Sequence, residues 1–276
     1  MSLQIVNSVN EVFDAIQRAK TGAAAFCTNF FPVQARIQSW IKDKALHVEN
    51  PGPTVFFFRR DGEFLHWYYC APDLASLQRA LTESASLRKQ PLVLDLVGNE
   101  ANLVEMLRLL ESAGFRRYSR LVRLGRAAAP VAQSSVPGEH AVVTATNADR
   151  DSVLDLINQS FDRYADQIPG ALEIEAALQN GQILAVKPNG TLAALLFFET
   201  QGFTSTIRYW VVAEAFRSHR FGAALIRHYF AIHEKVRRFV LWVTATNENA
   251  VQKYAHYGYA PDGLVDHVLV NQLIPS

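Results

Sequence analysis

Residues 212–225 read VAEAFRSHRFGAAL. The run Tyr209-Trp210-Val211-Val212 just before it is aromatic and β-branched, which predicts a strand over 206–213. Gly222 opens a predicted helix, 222–233. A loop carrying Arg217, His219 and Arg220 therefore joins a strand to a helix. The first N–H groups of a helix have no internal partner, and the macrodipole leaves about half a positive charge there. With basic side chains and a glycine added, the loop predicts an anion site whose natural guest is a diphosphate.

A second segment, LWVTATNENAVQKYAHYGY (241–259), predicts a strand over 239–245 and a helix over 249–257 ended by Gly258. Asn247, Ala250, Tyr254 and Gly258 follow one another at spacings of 3, 4 and 4. That puts Ala250, Tyr254 and Gly258 along one side of the helix, with Asn247 just before its first turn. Upstream, strands are predicted at 140–145, 183–187 and 191–200, the last two joined by Pro188-Asn189-Gly190. Helices are predicted from the period-3.6 run Val153, Leu154, Ile157, Phe161 and over 171–178; a last strand covers 267–270. The order β-α-α-β-β-β-α-β-α-β predicts an α/β (α+β) domain, a mixed, mostly antiparallel twisted sheet with helices on both faces.

Together the two segments resemble the GNAT superfamily of N-acetyltransferases. The loop is similar to that family's Arg/Gln-x-x-Gly-x-Gly/Ala signature, with Arg217 at the Arg position, Gly222 at the second small position and Arg220 where the first glycine is usual. The Asn247, Ala250, Tyr254, Gly258 segment matches the second motif without a gap. The resemblance implies an acyltransferase that moves groups other than aminoacyl groups, with acetyl-CoA or another acyl-CoA as co-substrate and no metal. It implies that backbone groups around Trp210 and Val212 pair with the pantetheine, and that the amides of His219, Arg220, Phe221, Gly222 and Ala223 hold the pyrophosphate. Arg217 and Ser218 belong to the same loop, Asn247 would contact the pantetheine arm, and Tyr254 would give a proton to the leaving thiolate. The acceptor implied is a primary amine of a small molecule or peptide, attacking directly in a ternary complex. Glu199, at the end of an apolar strand, is the expected base; Asp162, Tyr164 and Asp166 are expected to line the acceptor pocket.

The first half echoes this order. Strands are predicted at 55–59 and 63–69 around Asp61-Gly62, a helix at 74–81, a strand at 92–97, a helix at 102–112 and a strand at 118–124. HWYYCAPD (66–73) matches RYWVVAEA (208–215), and SAGF (112–115) matches HYGY (256–259). Two tandem GNAT-like domains are predicted: a degenerate copy at 1–126, a linker at 127–138 rich in Ala, Pro and Ser, and a coenzyme-binding copy at 139–276. Four residues before Gly114 stands Leu110, which cannot donate a proton. Asp73 would cap its helix with its own carboxylate, where a phosphate would otherwise sit. The first copy should therefore bind no coenzyme.

Composition narrows the alternatives. Apolar residues make up 49% of the 276 residues and charged residues 19%, enough for two cores. A net charge of +1 argues against a nucleic-acid partner, and so against an aminoacyl transferase drawing on charged tRNA. Arg116, Arg117, Arg120, Arg123 and Arg126 read as the solvated face of a strand. Cys27 and Cys70 have neither metal-ligand spacing nor a disulfide framework and read as buried thiols. No apolar run approaches the ~20 residues of a membrane span, and the N-terminus lacks a signal-peptide pattern, so a cytoplasmic chain is expected. A non-catalytic coenzyme-A-binding module is the rival reading.

Overall fold

The computed structural model describes residues 3–23, 25–84, 86–128 and 141–274. They form two units, Met1–Leu121 with Leu264–Ser276, and Val122–Gly263. The first unit holds strands β1 (Gln4–Ile5), β2 (Cys27–Thr28), β3 (Leu46–Glu49), β4 (Val55–Asp61), β5 (Phe64–Ala71) and β6 (Leu92–Asn99). Its helices are α1 (Val9–Lys20), α2 (Gln34–Lys42), α3 (Leu74–Glu83), α4 (Ser86–Lys89) and α5 (Glu100–Ser112). The chain then runs through β7 (Phe115–Ala127), β8 (Val142–Thr144), α6 (Arg150–Ser160), α7 (Ala171–Gln179), β9 (Ile183–Val186), β10 (Ala194–Gln201) and β11 (Thr204–Val212). It ends with α8 (Phe221–Ile232), β12 (Arg238–Thr244), α9 (Glu248–His256) and β13 (Ala260–Asn271).

The predicted mixed sheet with helices on both faces is present in the second unit, where β8, β9, β10 and β11 pair antiparallel and β11 pairs parallel with β12. Its strands read as unbroken apolar runs because both faces are covered. Leu184, Val186, Ala194, Leu196 and Phe198 join one core with α8, while Ile183, Ala185, Leu195 and Phe197 join another with α6 and α7. Burying each such Leu, Ile or Phe side chain contributes about 1.5–3 kcal/mol. The turn between β9 and β10 works as its Asn-Gly predicts, with Asn189 at φ 52° and Gly190 at φ 81°, both left-handed.

The division at 126 and 139 differs from the packing. Leu264–Val270 pairs antiparallel with Asn99–Val93, so most of the last strand completes the first unit, while β7 from Val122 on belongs to the second. Alternation in a strand reports two covered faces but not which neighbour covers its edge. The expected linker lies, from residue 129 to 138, outside the described residues.

The arginine stripe of β7 is partnered rather than merely solvated: Arg117 meets Glu111 at 2.8 Å, Arg120 meets Glu100 at 2.7 Å and Arg123 meets Asp262 at 2.8 Å. Both cysteines are free; Cys70 is buried, Cys27 half-buried, and burial first of all pushes each thiol up to about 11. Among the described residues, no helix is long and apolar enough to cross a membrane.

Candidate functional site

The site begins with a fault in a strand pair. Phe197 faces Tyr209 across the β10–β11 ladder, yet Phe198 faces Ile207, so Arg208 is an extra, unopposed residue: a β-bulge. A one-residue slip sends every later side chain to the other face. Ile207, Trp210 and Val212 consequently share the α8/α9 side, while Tyr209 and Val211 share the α6/α7 side. At the same place β12 parts from β11. Their parallel ladder runs from Thr204↔Arg238 to Ile207↔Leu241 and stops, although β11 continues to Val212. Among the described residues, Trp210, Val211 and Val212 pair only with β10. Their outer edge is a row of backbone groups open to an added strand.

The basic loop follows as a 3-10 turn over Glu214–His219, and Arg220 then sits at φ 56° and ψ 18°. This is the left-handed region that favours glycine, which is why Arg220 can occupy a glycine position of the signature only by adopting a glycine-like backbone. Arg220 is the N-cap of α8 and its side chain makes no capping bond. Arg217, Ser218, His219 and Arg220 are exposed. Arg217 reaches Glu214 at 3.6 Å, a solvent-exposed pair that holds little. His219 stacks on Phe221 with ring centroids 5.3 Å apart, which roots the loop in the core. A Cβ at Gly222 would meet Trp210 Nε1 and Val212 Cγ2 at 3.4 Å, so the start of α8 lies in contact range of the β11 side chains. Ala223 is half-buried behind it.

Asn247 is the N-cap of α9 and its Oδ1 accepts the N–H of Ala250 at 3.1 Å. Gly258 ends the helix at φ 80°, as its position predicts. Tyr254 is carried back to Trp210, ring to ring at 5.6 Å. Its hydroxyl has no hydrogen-bond partner among the described residues. Burial first, and the charge of Asp166 second, push its phenol up to about 12, so it is protonated across the physiological range. Trp210 thus touches both the start of α8 and the phenol on α9.

Glu199 differs from expectation. Its Oε1 lies 2.5 Å from Nη1 of Arg208, the half-buried bulge residue, which also approaches Glu173 at 3.7 Å. That ion pair takes up one oxygen of the Glu199 carboxylate. The sequence missed this pair because it depends on the bulge. Asp166 has the opposite environment: burial above all, with the charge of Asp162 adding, pushes its carboxyl up to about 6. Among the described residues, no group of three or more His, Cys, Asp or Glu side chains is placed to hold a metal.

The first unit has the same parts with each opening filled. Its β4–β5 ladder runs without a slip from Asp61↔Phe64 to Val55↔Cys70. With the two hairpin turns equated, Tyr68 corresponds to Tyr209, so the sequence match of 66–73 with 208–215 is one residue out of register. Strands β5 and β6 also part, after His66↔Val93. There β2 enters the gap, pairing Cys27↔Ala71 and Thr28↔Cys70. Asn29 follows, donating to the carbonyls of Trp67 and Asp95 at 3.2 and 3.1 Å and accepting the N–H of Tyr69 at 2.7 Å. Asp73 caps α3, its Oδ1 accepting the N–H of Ser76 at 2.7 Å. Leu110 is fully buried.

Comparison with known proteins gives the same family. Residues 150–259 match the Acetyltransferase (GNAT) family. A tandem GNAT protein from the clavulanic acid biosynthesis pathway, solved without AcCoA, is similar over 100% of this chain and 99% of its own, with a TM-score of 0.64 and 13% identity. A Drosophila protein from structural genomics is similar over 98% of both chains, with a TM-score of 0.60 and 15% identity. A GCN5-related N-acetyltransferase from Sphaerobacter thermophilus is similar over 87% of this chain and 86% of its own, with a TM-score of 0.57 and 13% identity. At these identities the likeness is one of fold. No curated protein matches the sequence. Bulge, parted strands and phenol-bearing helix all fall inside the matched segment, and residues 150–259 are accordingly a domain of the GNAT acetyltransferase family.

Proposed function

We propose that the second unit is an N-acyltransferase, using acetyl-CoA as its first candidate donor and a primary amine of a small molecule or peptide as acceptor. The observation that carries this reading is the meeting of three unfilled groups at Trp210. They are the open edge of β11 beyond Ile207, the uncapped start of α8 and the partnerless hydroxyl of Tyr254. Backbone groups of Trp210 and Val212 would pair with the pantetheine amides as an added strand does. The amides of His219, Arg220, Phe221, Gly222 and Ala223 would hold the diphosphate, with Arg217, Ser218 and Arg220 beside it. Asn247 would contact the pantetheine arm.

The neutral amine attacks the thioester carbonyl directly. The nitrogen–carbon bond forms, the carbon–sulfur bond breaks, and its electron pair goes to sulfur. Tyr254 hydrogen-bonds that developing thiolate. A phenol pushed up to about 12 holds its proton more firmly than a thiol of pKa ~8.5 does, so complete transfer requires that the amine's own proton replace the one given up. The first unit, with its gap held by β2 and Asn29 and its helix capped by Asp73, would bind no coenzyme, giving one site per chain.

Calorimetry with acetyl-CoA and thiol release over a panel of amines test the reading. One coenzyme per chain with turnover on some amine supports it. Binding without turnover on any amine leaves a coenzyme-binding module, and no heat with any CoA species removes the reading altogether.

A further inference from the structure

We propose that Asp166 receives the proton of the attacking amine, because the fold anchors it to Tyr209, the β11 residue next to Trp210, with one carboxylate oxygen left open. The assignment rests on the acyltransferase reading and replaces Glu199, whose carboxylate is engaged by Arg208.

The fixing is built from both sides of the loop that joins α6 to α7. From below, the hydroxyl of Tyr209 points between the carbonyls of Asp166 and Gln167, at 2.8 and 2.9 Å. Tyr209 reaches them only because the bulge at Arg208 turns it to the α6/α7 face, where it packs edge-on against Phe161 with ring centroids 5.0 Å apart. Within the loop, Oδ2 of Asp166 accepts the N–H of Asp162 at 2.8 Å, and the N–H of Asp166 donates back to the carbonyl of Asp162 at 2.9 Å. Oδ1 of Asp162 accepts the N–H groups of Tyr164 and Ala165 at 2.8 and 2.9 Å. Gln167 then reverses the chain at φ 45°, a left-handed backbone that a non-glycine residue holds only when its surroundings over-determine it. One oxygen of Asp166 is consumed by this scaffold. The other, Oδ1, takes no hydrogen bond among the described residues.

The placement suits the chemistry. Among the described residues, the titratable groups that act on Asp166 or feel its charge are Asp162 in its own loop, Tyr209 from β11 and Tyr254 from α9. None of these three is a cation, and one of them is the phenol assigned to the leaving sulfur. The amine nitrogen becomes positively charged as it bonds to the carbonyl carbon, and its N–H is then far more acidic than that of the parent ammonium. That proton passes to Oδ1 of Asp166, the carbon–sulfur bond breaks, and the sulfur takes the proton of Tyr254. Return of the proton from Asp166 to the phenolate, directly or through water, restores both groups. The sum is amine plus thioester giving amide plus thiol, with nothing left over.

Asp166→Asn in the full chain is the test, since Asn keeps an oxygen for the N–H of Asp162. Acetyl-CoA binding is expected within about threefold of the parent chain, while kcat/KM falls about 100-fold or more. The acid limb expected near pH 6 in the parent profile should vanish from the residual activity. Asp166→Glu, which keeps a carboxylate, should recover part of the rate with a shifted limb, and it decides the matter if the Asn variant does not fold. Turnover of a folded Asp166→Asn chain within about threefold of the parent, or a parent profile flat through pH 6, overturns the role of Asp166 while leaving the acyltransferase reading intact. A parent chain that binds no acyl-CoA overturns that reading instead.

Discussion

Replacing Arg220 by Gly and, separately, by Ala divides the two things this residue does. Arg220 carries a charge into the loop and holds φ 56° at the first residue of the α8 cap. A left-handed backbone costs an L-residue about 1–2 kcal/mol, and glycine escapes that cost. Glycine also has more freedom to lose on folding, about 0.5–1 kcal/mol, so the expected net advantage of Gly over Ala at 220 is ~0–1.5 kcal/mol. Glycine is accepted at an N-cap whereas Ala is not, which moves the expectation towards the upper end. At about 4 °C per kcal/mol for a unit of this size, Arg220→Gly should melt a few degrees above Arg220→Ala. Both variants lose the same guanidinium. An exposed cation near a phosphate contributes up to ~1 kcal/mol, so both should lose coenzyme affinity by up to about fivefold, less at high salt. Differential scanning calorimetry and acetyl-CoA titration of the three chains make the comparison. Arg220→Ala melting at or above Arg220→Gly would refute the claim that this loop needs a glycine-like residue before α8.

Three further outcomes follow from the same geometry. Tyr254→Phe should keep coenzyme affinity and thermal stability, because its hydroxyl has no partner to lose, while kcat drops about 100-fold; unchanged kcat in steady-state assays would remove Tyr254 from the chemistry. Asp73→Ala should destabilise the first unit by about 1 kcal/mol in urea titrations, through loss of the bond to the N–H of Ser76, yet calorimetry should still count one coenzyme per chain. In that unit, burial first and Asp95 second raise Asp266 well above an ordinary carboxyl, so the folded chain holds a proton that the unfolded chain releases. That contribution is fully present below the unfolded pKa and is lost as pH rises through the interval up to the folded value; Asp266→Asn should flatten that slope in pH-dependent melts, and an unaltered slope would contradict it.

The parts legible in the sequence are those whose signal is local. Strand 239–245 and helix 249–257 appear within a residue of their expected ends, because a buried apolar run and a Gly cap declare themselves over a few positions. The signal for α1 was also present: Ser8 and Glu11 form a capping box, with Glu11 Oε2 accepting the N–H groups of Asn7 and Ser8. What sequence could not supply is pairing. TSTIRYWVV contains neither Gly nor Pro to mark the bulge, so nothing in it tells that Ile207 and Tyr209 lie on opposite faces. The Arg208–Glu199 ion pair and the clamp of Tyr209 on Asp166 both descend from that slip. Strand β2 has two residues, too few to show a period, and its position rests on bonds from Asn29 to residues 38, 40 and 66 places away.

The contrast between the units is best understood as one physical problem with two solutions. Parting two parallel strands strips backbone groups of their partners, and a buried group left unpaired costs about 1–3 kcal/mol. The first unit meets that cost from within: β2 extends the β5 edge, and Asn29 satisfies the N–H of Tyr69 together with the carbonyls of Trp67 and Asp95. A coenzyme would have to break all of these bonds before making its own, and would find the α3 amide already taken by Asp73. In the second unit β11 runs on beyond its ladder with β12, and among the described residues neither a short strand nor a capping side chain closes that edge. Net binding energy is available only where the protein has not already spent the same hydrogen bonds on itself. On the reading proposed above, the open edge of β11, more than any single side chain, is therefore what the coenzyme site of the second unit would depend on.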